Sequence, residues 1–151
     1  MTSTFDQALQ GWAALFMRLS MAHFNHYTRA QGLSLAQMSV LHYIYYHGPC
    51  DVMFFCSLMQ LSPAGASQMV DRLARQGLVE RLEEAGDRRV RKVHLTARGK
   101  QIVEESVQAR QCWMAGLAQQ LSEEQRQQAA ETLRVLHAAA ARLEMAENEV
   151  R

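Results

Sequence analysis

Between Ser62 and Leu95 the apolar period of this chain changes from three or four residues to two, and few folds admit that change over so short a stretch. Ser62 and Pro63 open a helix, because serine is a preferred N-cap and proline fits the first helical position. Ala66, Met69, Val70 and Leu73 supply its inward face, and Gly77 ends it. From Leu78 onward, Val79, Arg81 and then Arg91, Val93 and Leu95 alternate with charged or polar neighbours. They flank Glu83-Glu84-Ala85-Gly86-Asp87-Arg88-Arg89, which predicts a β-hairpin with a charged tip. The helix keeps an outward face of Ala64, Gly65, Ser67, Gln68, Asp71, Arg72 and Arg75. That face is small, polar and basic, as a groove of DNA requires.

The flanking segments are helical. Phe5, Leu9, Trp12, Phe16, Leu19, His23, Tyr27 and Ala30 recur at three or four residues, with Gly32 as the stop. A second helix follows Ser34 and runs to about His47, its apolar face being Met38, Leu41, Ile44 and Tyr45; Gly48-Pro49 ends it. A short helix is expected from about Val52 to Gln60. Thr96 caps a long helix with apolar positions Ile102, Val103, Val107, Trp113, Met114, Leu117 and Leu121. Ser122, with Gln125 at the capping-box position, opens a last one whose stripe is Ala129, Ala130, Leu133, Leu136, Ala140 and Leu143. The expected fold is mainly α with a small β-hairpin wing. Residues 34–96 form a winged helix-turn-helix domain, and residues 1–33 and 97–151 form a helical dimerisation region. The apolar faces of the long helices exceed what one small domain can cover, so a second copy of the chain is the expected cover.

Charge sharpens the reading. Nine Lys and Arg against four acids give residues 72–100 a net +5, while residues 1–71 carry −1 and residues 101–151 carry −3. Basic charge confined to one short segment suits a polyanion met by one small surface. No apolar cluster approaches the roughly 20 residues that a membrane-spanning helix needs. Met1 to Asp6 has neither a basic region nor an apolar run, so no secretory leader is expected. Cys50, Cys56 and Cys112 are odd in number and lack metal-ligand spacing, which fits a reducing cytoplasm.

Two short helices joined at Leu61-Ser62 and followed at once by a basic hairpin make a winged helix-turn-helix, whose second helix enters the major groove. Its N-terminal residues Ser62, Pro63, Ala64 and Gly65 let it sit deep, and the amides there can hold a phosphate. Ser67 and Gln68 are the expected base readers, glutamine being able to pair bidentately with adenine. Arg72 and Arg75 suit phosphates. Arg88, Arg89 and Arg91 can reach an adjacent minor groove.

At these residues the sequence resembles the MarR family (multiple-antibiotic-resistance regulators). The likeness is carried by Leu35-Ala36-Gln37-Met38-Ser39-Val40-Leu41, by Leu61-Ser62-Pro63 through Val70-Asp71-Arg72-Leu73, and by Gln76-Gly77-Leu78-Val79-Glu80-Arg81. Its most specific piece is Gly86-Asp87-Arg88-Arg89-Val90 followed by Val93-His94-Leu95-Thr96-Ala97-Arg98-Gly99. The resemblance implies a homodimer built from the first and last two helices, acting on a palindromic operator, usually as a repressor. It implies that Asp87 steadies Arg89 in the minor groove, and that a small aromatic or amphipathic effector releases DNA. Gly65 and Gln68 depart from the Thr or Ser and the Arg of many members, so no relative's operator can be carried over. The Met53-Phe54-Phe55-Cys56 run is unusually apolar, as for a pocket wall or a partner contact. No Cys lies in the first helix, where the peroxide-sensing subgroup has its reactive one.

The candidate effector residues are His23, Tyr27, His42 and Tyr46, with His47 beside them; the plainer reading of each is a half-buried side chain. His23, His26, His42, His47 and Cys50 lack a tight spacing such as HExxH or CxxC, so no metal or other cofactor is expected. Cys56 and Cys112 are expected in the core, and Trp12 and Trp113 in the dimer core. Two rival functions stand beside a DNA-binding regulator: an interaction module that holds a protein through Met53-Phe54-Phe55, and a metal- or redox-responsive regulator. No Ser/His/Asp, paired-carboxylate or phosphate-loop pattern suggests an enzyme.

Overall fold

The computed structural model describes residues 3–84 and 87–149, the side chains of 83, 84, 87–91, 144 and 147–149 excepted. The elements are α1 (Thr4–Ala30), α2 (Leu35–His47), β1 (Cys50–Asp51), α3 (Val52–Met59), α4 (Pro63–Arg75), β2 (Val79–Glu84), β3 (Asp87–Leu95), α5 (Ala97–Gln119) and α6 (Glu123–Glu149). The fold is mainly α with a small antiparallel sheet ordered β1-β3-β2. Its short first strand is not foreseen by the sequence pattern. Cys50 pairs with Val93 and Asp51 with Lys92, and two residues are too few to show a period of two. The chain divides into two compact units, residues 1–112 and 113–151.

Caps explain where the helices begin and end. Ser34 accepts from the Gln37 amide at 3.2 Å while Gln37 Oε1 accepts from the Ser34 amide at 2.9 Å. Ser122 and Gln125 repeat this capping box at α6. Helix α4 stops in a Schellman turn: the Gly77 amide donates to Ala74, the Leu78 amide donates to Leu73, and Gly77 sits at φ +70°. Leu73 and Leu78, the residues such a turn brings together, are both buried.

The core of the first unit joins all its elements. Met38, Val40 and Leu41 of α2, Phe55 of α3, Val70 and Leu73 of α4, Val93 of β3 and Val103 of α5 are fully buried. Phe24 and Leu33 from the N-terminal segment belong to the same cluster. Tyr45, expected on the inner face of α2, is exposed instead, and its hydroxyl donates to Glu104 at 3.2 Å. Val40 and Gln37 take its place in the interior, because both flanks of α2 are packed. The apolar run of α3 is divided: Phe55 is core, whereas Met53 is 61% exposed. In the second unit Ala129, Ala130 and Leu136 are half-buried, while Leu133 and Leu143 of the expected stripe are exposed.

Thr96, Arg98 and Gly99 tie α5 to the turn that ends α4. The Thr96 hydroxyl donates to the Gly77 carbonyl at 2.6 Å and accepts from the Gly99 amide at 3.0 Å. Arg98 donates to the Gln76 carbonyl at 3.2 Å. A side chain at Gly99 would bring its Cβ to 2.0 Å from the Leu78 carbonyl oxygen, so only glycine fits. The wing strands and the helix before them are thereby held as one piece.

Candidate nucleic-acid interface

Helix α4 is presented by a tight turn. Gln60 adopts a left-handed conformation at φ 53°, which ends α3 and reverses the chain into Leu61 and Ser62. The Ser62 side chain accepts from the Gly65 amide at 3.1 Å and leaves its own proton free to donate. Ala66, Val70 and Leu73 anchor the helix in the core. On the opposite face Ser62, Pro63, Ala64, Gln68, Arg72 and Arg75 are exposed, and Gly65 and Ser67 are half-exposed. The outward residues named from the sequence thus lie on one face of one rigid helix. Asp87, Arg88, Arg89 and Arg91 lie on strand β3, but their side chains, and all of Ala85 and Gly86, fall outside what the structure describes.

Sequence reasoning misses Arg81. Alternation makes it a strand residue and no more, yet its guanidinium crosses from β2 to the outward face of α4. Nη2 lies 2.9 Å from Asp71 Oδ1, 3.3 Å from Ser67 Oγ and 3.5 Å from the Ser67 carbonyl. The signal in the sequence is Asp71, an acid on an otherwise basic face that would repel phosphate unless paired.

The candidate effector residues do not all converge. His42 and Tyr46 line an open, mainly apolar cavity of about 440 Å³ with Met21, Phe24, Leu58 and Arg110. His23 and Tyr27 are not among its lining residues. Instead the Tyr27 hydroxyl donates to Glu105 at 2.7 Å. Burial and that carboxylate raise the phenol well above its ordinary range, and the Tyr27 and Gln101 bonds lower Glu105. His23 Nδ1 lies 3.2 Å from Cys112 Sγ. Cys112 is therefore exposed rather than core, because its position on α5 faces away from Val103 and Ser106, which are buried. Cys56 is half-buried against the core, and burial pushes the Cys50 thiol up to about 11.

Inside the cavity the polarity of His42 can be deduced. Ser106 Oγ donates its proton to the Val103 carbonyl at 2.7 Å, so it must accept from His42 Nε2–H at 2.8 Å. His42 Nδ1 is then an acceptor. Burial, and secondly the Arg110 charge, lower the imidazole pKa and keep it neutral. The Arg110 guanidinium lies 4.0 Å over the Phe24 ring, and its buried Nε has no hydrogen-bond partner among the described residues. The two residues that carry this acceptor and this unsatisfied cationic donor both line the aromatic-rich cavity. Among the described residues, no three His, Cys, Asp or Glu gather as a metal site, and no helix is long and apolar enough to cross a membrane.

The fold finds counterparts among known proteins. Residues 31–90 match the family model described as "MarR family". The chain belongs to the MarR family of transcriptional regulators. It is 35% identical over 100 residues to the HTH-type transcriptional repressor MdtR of Bacillus subtilis, a match spanning 66% of this chain and 64% of that protein's own length. The crystal structure of the Bacillus subtilis YusO protein superposes with a TM-score of 0.62 at 30% identity, covering 89% of this chain and 95% of the other. A mutant of S. aureus MepR bound to an oligodeoxyribonucleotide is similar in fold, with a TM-score of 0.66 at 20% identity, covering 91% and 99% of the two chains. In this MarR-family chain α4 and the β2–β3 hairpin together form the winged helix.

Proposed function

We propose that this MarR-family protein is a homodimeric repressor that reads a palindromic operator and is released by a small aromatic or amphipathic effector. The observation that carries the reading is the outward face of α4. Small and polar residues from Ser62 to Gln68 give way to Arg72 and Arg75, on a helix capped at both ends and fixed in the core. In this division residues 34–96 bind DNA, and residues 1–33 and 97–151 dimerise. Ser67 and Gln68 meet base edges, Arg72 and Arg75 meet phosphates, and Arg88, Arg89 and Arg91 follow the adjacent minor groove with Asp87 steadying Arg89. The oligodeoxyribonucleotide held by the MepR mutant supports DNA as the partner, and the MdtR likeness supports repression.

A second copy is supported by apolar side chains that the single chain leaves exposed: Phe5, Leu9, Leu15 and Met17 on α1, and Leu133, Val135 and Leu143 on α6. Two recognition helices related by a two-fold axis call for half-sites about 10–10.5 bp apart. For the effector, the cavity beside His42, Tyr46 and Arg110 is the better candidate than the surroundings of His23 and Tyr27. Occupancy there should weaken DNA binding by a coupling of ~1–3 kcal/mol, and DNA should weaken effector binding equally.

Selecting bound duplexes from random sequence tests the reading, followed by titration at several salt concentrations. An inverted repeat bound with a steep negative slope of log K against log salt is the expected result. Failure to retain any duplex, together with capture of a protein through Met53 and Phe54, would favour the interaction-module alternative.

A further inference from the structure

Serine and threonine hydroxyls inside helices can give their proton to a carbonyl three or four residues back, as Ser106 does to Val103 at 2.7 Å, Ser39 to Leu35 at 2.9 Å and Thr132 to Gln128 at 3.0 Å. Ser67 behaves differently. Its Oγ accepts from Arg81 Nη2 at 3.3 Å, and among the described residues no acceptor takes its proton. Arg81 is itself held by Asp71, one turn along the same face of α4, at 2.9 Å. The charge of the pair is thereby neutralised, so Arg81 adds little net attraction for phosphate. What it changes is Ser67.

We propose that Arg81 is a positioning residue for sequence readout, setting Ser67 as a hydrogen-bond donor to the DNA. The inference rests on the operator-binding reading above. A guanidinium donating into Oγ occupies one lone pair and repels any further N–H brought toward the other. It also polarises the O–H bond and strengthens it as a donor. A serine without this partner would accept from cytosine N4 or adenine N6 as readily as it donates to guanine or thymine. Ser67 beside Arg81 instead selects a major-groove acceptor, guanine O6 or N7 or thymine O4, at one position in each half-site. The outward face of α4 thus reads part of its sequence through a residue that belongs to the wing.

The test uses the full-length protein and a set of operators varied one base pair at a time. Wild type should prefer an acceptor edge at one position by about fivefold per half-site, the worth of one ordinary hydrogen bond. Ser67→Ala identifies that position by abolishing its preference. Arg81→Ala should flatten the same position to within about twofold and leave the others unchanged, and the double variant should go no further. Should Arg81→Ala not fold, Arg81→Met carries the test, because it keeps an unbranched aliphatic stem and supplies no donor to Ser67. The proposal is overturned if Ser67→Ala shifts no position, or if wild type prefers a donor edge there. It is overturned equally if either Arg81 variant keeps that preference and only weakens all operators alike, as unpairing Asp71 near the phosphates would do by itself. A wild-type protein that selects no sequence would instead defeat the operator reading beneath it.

Discussion

The two ends of α1 carry the same three-to-four-residue apolar rhythm and meet opposite fates. Toward the C-terminus Ser20, Phe24 and Thr28 are buried, and Phe24 belongs to the core shared with α2, α4 and α5. Toward the N-terminus Phe5, Leu9, Trp12, Leu15 and Met17 remain exposed, Phe5 to 56%. Amphipathic pattern therefore announces that a face will be covered, not by what. The C-terminal part is covered by its own chain. The N-terminal part, like Val135 and Leu143 of α6, awaits the second copy proposed above. Stability should divide along the same line, into what one chain supplies and what assembly supplies.

Gly99→Ala attacks the first share. The new methyl would meet the Leu78 carbonyl oxygen at 2.0 Å, a backbone atom that cannot step aside without breaking the Thr96 amide bond to it. A loss of at least about 3 kcal/mol is expected, the upper range for overpacking. Denaturant unfolding would check it, and a loss below ~1 kcal/mol would mean that α5 is not locked to the turn after α4. Removing residues 1–20 attacks the second share. The product should be poorly soluble or unfolded, and the intact protein should show a melting temperature that rises with concentration. A soluble, folded monomer from that truncation would show that the exposed end of α1 has no structural partner.

Much of this is legible in the sequence, and the gaps have physical causes. Helix starts are readable because Ser34, Ser62, Thr96 and Ser122 cap by local hydrogen bonds that chemistry fixes within four residues. The inward face of α4 is readable because Ala66, Val70 and Leu73 meet a single core. Contacts between distant segments are not. Strand β1 has no period to show, Tyr45 is drawn outward by Glu104, and Cys112 lies beside His23 from across the fold. The bridge from Arg81 to Asp71 and Ser67 spans β2 and α4, and alternation alone assigns Arg81 only to a strand face. Of the four effector candidates, periodicity can place all near α1 and α2 but cannot tell that Tyr27 is engaged by Glu105.

The wing offers an intermediate effect, felt in DNA binding rather than in folding. Arg89→Ala should lower the slope of log K against log salt by about 0.9 for each phosphate no longer neutralised, or about 1.8 per dimer. The weakening should be greatest where A·T pairs lie under the wing. Net charge alone argues that Asp87→Ala should tighten binding. A bidentate Asp87–Arg89 pair argues the reverse, because the freed arginine loses its orientation. Weaker binding is expected from both variants, with strong non-additivity in the double mutant. Tighter binding by Asp87→Ala would reduce the wing to diffuse positive charge.

The smallest effect is the pH response of His42, and it probes the shared core from within. Four groups face the ring: Phe24 from α1 at 5.8 Å, Tyr46 from α2 at 6.0 Å, and Ser106 and Arg110 from α5. None of them is an acid that would welcome an imidazolium. Burial first, and the Arg110 charge second, lower the proton affinity of the folded state below the ordinary histidine value of 6.5. The unfolded chain therefore binds the extra proton more readily. The contribution of this site is complete above pH 6.5 and is lost as the pH falls from there toward the lower folded value. His42→Gln keeps a donor for Ser106 and removes the titration. Unfolding measured between about pH 7.5 and 5.5 should show wild type losing more stability than the variant, by well under the ~3 kcal/mol expected of Gly99→Ala. Parallel curves would mean that the cavity solvates an imidazolium after all. His42 would then offer an effector a donor at Nδ1 in acid and an acceptor in base, and effector binding itself would follow pH.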